Sequence, residues 1–136
     1  MEIKYYDELP QEAVDIRNEV FVEEQGFLEE FDTADKTAIH IVGFVNGKGV
    51  ATARVILVDN KYFIGRIAVR KAFRGRGYGL IIVKAAEEAI KKIGASLIYI
   101  HSQTRAVGFY QKLGYCLAGV SDVEEGCPHE LLVKTI

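Results

Sequence analysis

The chain has two cysteines, two prolines, one methionine and no tryptophan in 136 residues. Cys116 and Cys127 are too few for a disulfide framework. In a simple terminal hairpin they would not face each other, so a reduced, cytoplasmic protein is expected. No apolar run approaches the ~20 residues of a membrane span, and Met-Glu-Ile-Lys-Tyr-Tyr-Asp does not read as a signal peptide. Neither charge sign dominates: 17 basic against 19 acidic residues leave a net charge of −2. That gives no electrostatic reason to expect a nucleic-acid or membrane partner. Repeats, low-complexity segments and linkers are also missing, so residues 1–136 read as one domain with one core. At 49% apolar and 26% charged the mixture is globular.

What is present concentrates in Arg74-Gly75-Arg76-Gly77-Tyr78-Gly79, between a strand-like run at 62–69 and a long apolar-periodic segment at 80–93. Three alternate glycines strip side chains from one face of the loop, so backbone N–H groups can close on an anion. The following helix aims its unpaired N-terminal donors and positive dipole end at the same spot, and two arginines add charge. A phosphate-bearing ligand, a pyrophosphate above all, suits this loop. A Rossmann fingerprint would need glycine where Leu80 stands, and a Walker A loop would need Gly-Lys-Ser or Gly-Lys-Thr, which occurs nowhere. The pattern that fits is Arg-x-x-Gly-x-Gly, which resembles the acetyl-CoA loop of the GNAT acyltransferase superfamily.

A second block supports that resemblance. After a strand at 96–102 comes Gln103-Thr104-Arg105-Ala106-Val107-Gly108-Phe109-Tyr110-Gln111-Lys112-Leu113-Gly114-Tyr115. It looks like the second signature of the superfamily, a short helix carrying Phe-Tyr and ending in Leu-Gly-aromatic, with Gly114 suited to the helix stop. With Arg17 to Gln25 and Cys127-Pro128-His129-Glu130, nearly the whole chain is similar to the small bacterial YjcF/ElaA-like branch.

The elements read as a strand at 2–6, a helix at 9–24 burying Ala13, Ile16 and Val20, and a loop or short helix at 25–36. Strands at 37–45 and 50–58 join through Asn46-Gly47-Lys48-Gly49. The helix at 77–93 is expected to bury Ile82, Ala86, Ala89 and Ile93 and to stop at Gly94. Strands at 115–120 and 131–136 form a last antiparallel pair around a turn at 121–128. The strand–helix–strand unit in the middle should be parallel with a right-handed crossover. The fold class is α/β: a mixed, mostly antiparallel sheet, helices on both faces and, as the resemblance implies, splayed central parallel strands.

The resemblance implies an acetyl-CoA cosubstrate and no metal. The edge of Ile67, Ala68 and Val69 would bind pantetheine amides and polarise the thioester, with His101 to Gln103 across the slot. Arg74, Gly75, Arg76, Gly77, Tyr78 and Gly79 would hold the pyrophosphate. Gln103 replaces the family's usual asparagine near the cofactor, and Tyr110, seven residues later, would protonate the departing thiolate. The reaction is direct attack by an amine, which needs a route for its proton and a donor for the oxyanion. The two central strands carry no carboxylate at 64–66 or 97–99, so Glu23, Glu24, Asp35, the three histidines or a water chain remain, with Glu24 and His129 the catalytic candidates.

On the substrate side, His40, Val42 and Phe44 share one face while Val50, Thr52, Arg54 and Ile56 share another. Charged Arg54 and Arg66 amid apolar strands are costly unless paired or facing a cleft. If they line the cleft with His40, the acceptor is a small anionic amine. The alternatives are a non-catalytic acyl-CoA sensor and a protein or peptide acetyltransferase drawing basic chains to Glu29, Glu30, Asp32 and Asp35. The chain would act as a monomer or homodimer.

Overall fold

The computed structural model describes residues 1–27 and 31–136, so of the acidic group Glu29 and Glu30 lie outside the described residues. The elements run β1 (Glu2–Tyr6), α1 (Gln11–Arg17), β2 (Ile39–Val45), β3 (Lys48–Val58), β4 (Lys61–Val69), α2 (Tyr78–Ile93), β5 (Leu97–Gln103), α3 (Val107–Gln111), β6 (Cys116–Glu124) and β7 (Cys127–Thr135). Among the described residues the strands form one seven-stranded sheet, ordered β1-β2-β3-β4-β5-β7-β6. Every neighbouring pair is antiparallel except β4 and β5. The mixed α/β sheet with helices on both faces is therefore as the sequence implies.

Strand alternation sends successive side chains to opposite faces, and each face has its own core. Ala13, Ile16 and Val20 of the first helix pack with Val42, Phe44 and Ala68. On the other face, Ile82, Val83, Ala86 and Ile90 of α2 pack with Ile41, Ala53, Ile64, Ile98 and Ile100. The α2 stripe is rotated from the expected one: Ile90 is fully buried while Ile93 is 47% exposed. Positions 82, 86 and 90 step by four, and Ile93 falls off that line. Gly94, at φ 98°, ends the helix as expected.

Three elements differ from the sequence reading. The first helix is α-helical only to Arg17 and continues as π-helical turns over Asn18–Glu24. Its apolar spacing fits either winding. The register sets His40 opposite Arg54 and Val42 opposite Thr52, so these residues share one face rather than two. Finally, β6 and β7 run almost to their joining turn at Glu125-Gly126, so residues 121–124 and 127–130 are strand and not loop. The two cysteines are unpaired.

Candidate active site

The site begins with a fault in β4. Thr52 pairs with Ala68 and Arg54 with Gly65, so two steps on β3 match three on β4. The extra residue is a bulge, and Arg66 there takes φ 51°, a left-handed conformation that costs a non-glycine residue ~1–2 kcal/mol. The bulge bends β4 away from its parallel neighbour. Only Phe63 with Tyr99 and Ile64 with Ile100 stay in register. Beyond them the strands part around a cavity of about 250 Å³, with Gly65, Arg66 and Ile67 on one wall and His101, Ser102 and Gln103 on the other. Phe21 lines it from the π-helical turns, Gln25 and Phe27 from the segment just after them, and Tyr110, Glu124 and His129 from the C-terminal elements.

The glycine loop lies beyond the β4 end of that opening. Gly75 and Gly77 take φ 77° and 81°, and a Cβ on either would meet nothing within 4 Å, so their backbone is approachable. No side chain caps α2, leaving its first N–H groups available to an anion. The two loop arginines behave differently. Arg76 lies over the Phe73 ring at 5.6 Å, whereas Arg74 donates from Nε to the Val69 carbonyl at 2.9 Å and grips Glu24. Gln103 lines the cavity with its amide engaged, donating to Gln25 Oε1 at 2.7 Å and accepting from Arg105 Nε at 2.9 Å.

Tyr110 is buried on α3, edge-on to Phe109 and Tyr115 at 5.1 and 6.1 Å. It lines the cavity, and burial pushes its phenol above the ordinary tyrosine range, so it stays protonated as a donor must. His129, on β7 opposite Gln103, donates from Nδ1 to the Cys127 carbonyl at 2.9 Å and stacks on His101 with centroids 4.9 Å apart. His101 in turn contacts Asp122 and Glu124. The sequence reading offered His101 as a wall of the slot and, with the other two histidines, as a candidate base, and it missed Asp122, Glu124 and Glu125. Glu125-Gly126 closes the hairpin as a two-residue turn, both residues at positive φ, and a turn that short sets Asp122 and Glu124 on a strand.

Three proposed roles are corrected. Glu24 accepts two hydrogen bonds from Arg74, at 2.6 and 2.7 Å, and this contact holds its carboxyl below the usual range, the wrong direction for a base. Arg54 is buried, with Nη1 2.7 Å from Asp32 Oδ1 and 2.9 Å from Asp35 Oδ1, so its charge is spent inside the protein. His40, 1% exposed, donates from Nε2 to the Asp35 carbonyl at 2.9 Å. Neither Arg54 nor His40 lines the cavity. Arg17 completes this buried knot, donating to both Asp35 oxygens at 2.8 and 3.1 Å. Burial alone would raise the Asp35 carboxyl, but Arg17 and Arg54 hold it down to about 2. Arg66 does reach the cavity wall, with Asp32 Oδ2 at 3.4 Å.

The acetyltransferase (GNAT) family model matches residues 4–115. The chain is 40% identical over 130 residues to the uncharacterized protein YyaT of Bacillus subtilis (strain 168), covering 92% of this chain and 88% of that one. It is 37% identical over 131 residues to the uncharacterized N-acetyltransferase YjcF of the same organism, covering 94% of each. The crystal structure of Escherichia coli ElaA superposes with a TM-score of 0.87 at 27% identity, over 98% of this chain and 99% of that one.

Proposed function

The chain belongs to the acetyltransferase (GNAT) family, and from that premise we propose that it moves an acetyl group from acetyl-CoA directly to the primary amine of a small molecule. The observation that carries this reading is the parting of β4 and β5 at the Arg66 bulge. It leaves the β4 edge without strand partners on the side facing β5, in line with a helix N-terminus that invites a pyrophosphate.

In this reading the N–H groups of Gly75, Gly77, Tyr78 and Gly79 hold the pyrophosphate, with Arg74 and Arg76 beside it. Pantetheine runs along Ile67, Ala68 and Val69 opposite Gln103. The amine nitrogen attacks the thioester carbonyl, and the C–N bond forms as the carbonyl oxygen takes charge. A backbone N–H of the β4 edge receives that oxyanion. Collapse breaks the C–S bond, Tyr110 gives its proton to the thiolate, and the amine's proton leaves toward the cluster around His129. Direct transfer needs no covalent enzyme intermediate.

Charges on the cavity wall favour an acceptor with both signs. Glu124 and Glu125 lie on the wall with the imidazoles, Arg66 and Arg105 elsewhere on it. An amino acid or an amino sugar phosphate has its amine and its anion so disposed. The unpaired cysteines support a reducing, cytoplasmic setting. The test is thiol release from acetyl-CoA with amino acids, amino sugars, polyamines and peptides as acceptors. Turnover with the first two classes and not the last two supports the reading, and peptide turnover alone would overturn the acceptor class.

A further inference from the structure

One wall of the cavity holds two imidazoles whose hydrogen bonds fix both tautomers. A backbone carbonyl only accepts, so the 2.9 Å contact of His129 Nδ1 with the Cys127 oxygen places that ring's proton on Nδ1. The lone pair of the neutral ring is then on Nε2. Likewise the Asp122 carboxylate, 2.9 Å from His101 Nε2, places the proton there and leaves the lone pair on Nδ1. Both lone pairs face a single carboxylate. Glu124 Oε1 is 3.4 Å from His101 Nδ1, and Glu124 Oε2 is 3.8 Å from His129 Nε2. His129 is only 6% exposed, and its Nε2 makes no hydrogen bond among the described residues. Two lone pairs turned toward a carboxylate repel it unless a cation lies between them.

The spacing selects the cation. A proton shared between imidazole and carboxylate draws the two heavy atoms to about 2.7–2.9 Å, closer than either contact. An ammonium group hydrogen-bonded to both would hold its acceptors roughly 4.7 Å apart, from ~2.9 Å bonds at a tetrahedral angle. A four-coordinate metal ion with bonds of about 2.0–2.2 Å sets its ligand atoms roughly 3.3–3.6 Å apart. The observed 3.4 Å falls in the metal's range and 3.8 Å just beyond it, and both lie nearer to it than to the proton or ammonium spacing. The alternative grouping of His101 with Asp122 and Glu124 spreads over as much as 4.8 Å, wider than one such ion holds, so Asp122 is not a ligand beside them.

We propose that His101 Nδ1, His129 Nε2 and Glu124 bind a divalent transition-metal ion, against the expectation of no metal. Two imidazoles and a carboxylate suit Zn²⁺, Co²⁺ or Ni²⁺ rather than Mg²⁺ or Ca²⁺. Asp122 sits behind His101, orienting it from the far ring nitrogen as outer carboxylates do for metal-bound histidines. All three ligands line the cavity, so the remaining coordination position opens toward the acceptor. The binding site stands on its own geometry, and only its role rests on the acetyltransferase reading. In that role, a water on the ion takes the amine's proton in place of the bare imidazole.

The test uses the full chain stripped with chelator and titrated with Zn²⁺ by calorimetry and with Co²⁺ by visible absorption. One ion per chain at micromolar or tighter affinity is expected, with cobalt bands of a low-coordinate nitrogen–oxygen site. His101→Ala, His129→Ala and Glu124→Gln should each weaken binding at least 100-fold, and Asp122→Asn about 10-fold, the range for outer-shell changes. A retained thermal shift with acetyl-CoA shows that each variant is folded, and Glu124→Gln is the mildest of the three if a histidine variant is not. No heat and no cobalt bands up to millimolar metal would overturn the proposal, as would binding indifferent to all three ligand changes. Loss of acetyl-CoA turnover with metal binding intact would sink the acetyltransferase reading and leave the metal site standing.

Discussion

Glu24 and Arg74 form a two-pronged ion pair, Oε2 to Nη1 at 2.6 Å and Oε1 to Nη2 at 2.7 Å. It ties the last π-helical turn to the glycine loop across 50 residues of sequence. The pair spends on a carboxylate an arginine that stands beside the proposed pyrophosphate seat. Glu24→Gln should therefore tighten acetyl-CoA a few-fold, steepen the salt dependence of that binding, and leave kcat within about two-fold. Calorimetry at two salt concentrations and steady-state rates check this. A 10-fold fall in kcat at unchanged acetyl-CoA affinity would restore Glu24 as the base.

The glycine loop can be tested without breaking the fold. Gly77 needs φ 81°, which asparagine tolerates far better than other side chains, and open space surrounds its missing Cβ. Gly77→Asn should keep the thermal midpoint of the ligand-free protein within a few degrees and abolish the stabilisation by acetyl-CoA. Gly77→Val should do the same with a larger loss of midpoint. A full acetyl-CoA shift in both variants would place the pyrophosphate elsewhere.

Tyr110 shows no hydrogen bond from its hydroxyl to a described residue, so removing that oxygen breaks none among them. Tyr110→Phe should keep acetyl-CoA affinity and lower kcat about 10-fold or more, as loss of a proton donor does. Because burial raises the phenol's pKa, Tyr110 should add no alkaline limb to the wild-type rate between pH 7 and 9. Equal kcat in the variant, with chemistry rate-limiting, would reduce Tyr110 to packing.

How far the sequence could be read depended on the range of the signal. The glycine loop and Tyr110 were legible because Arg74 to Gly79 and Phe109 to Gly114 are local patterns, complete within a few residues. Arg54 was not, because alternation gives the face a residue takes and not what covers that face. Its partners Asp32 and Asp35 come from 22 and 19 residues away. Glu24 was misread for the same reason. The π-helical winding of Asn18–Glu24 left no trace, since Ala13, Ile16 and Val20 satisfy an α-helical stripe. Asp122 and Glu124 were hidden by a turn read as too long. Once Glu125-Gly126 makes the turn, Glu124 pairs with Cys127 and Asp122 falls opposite His129.

The buried knot gives a stability prediction with a definite sign. Asp35, with a side chain 7% exposed, is held at about 2 in the folded protein against an ordinary 3.8. A depressed carboxyl stabilises the fold above its unfolded value, and that contribution fades as pH falls from about 4 toward 2. Asp35→Asn should cost about 3 kcal/mol at neutral pH, because Arg17 loses its buried carboxylate partner. Its stability should also vary less between pH 5 and 2 than that of the wild type. Chemical denaturation at several pH values reads both. An unchanged midpoint at pH 7 would mean that the arginines are satisfied without Asp35.

Mass spectrometry of acceptors incubated with the chain and acetyl-CoA tests whether acetyl passes from acetyl-CoA to a small amine. The expected product is an amino acid or amino sugar heavier by one acetyl group on its nitrogen, matched mole for mole by free CoA, formed about 10-fold or more slowly by Tyr110→Phe and lost in Gly77→Asn. Tight acetyl-CoA binding with no acetylated product across amino acids, amino sugars, polyamines and peptides would contradict it, and would make the chain a sensor of acyl-CoA on an acetyltransferase fold.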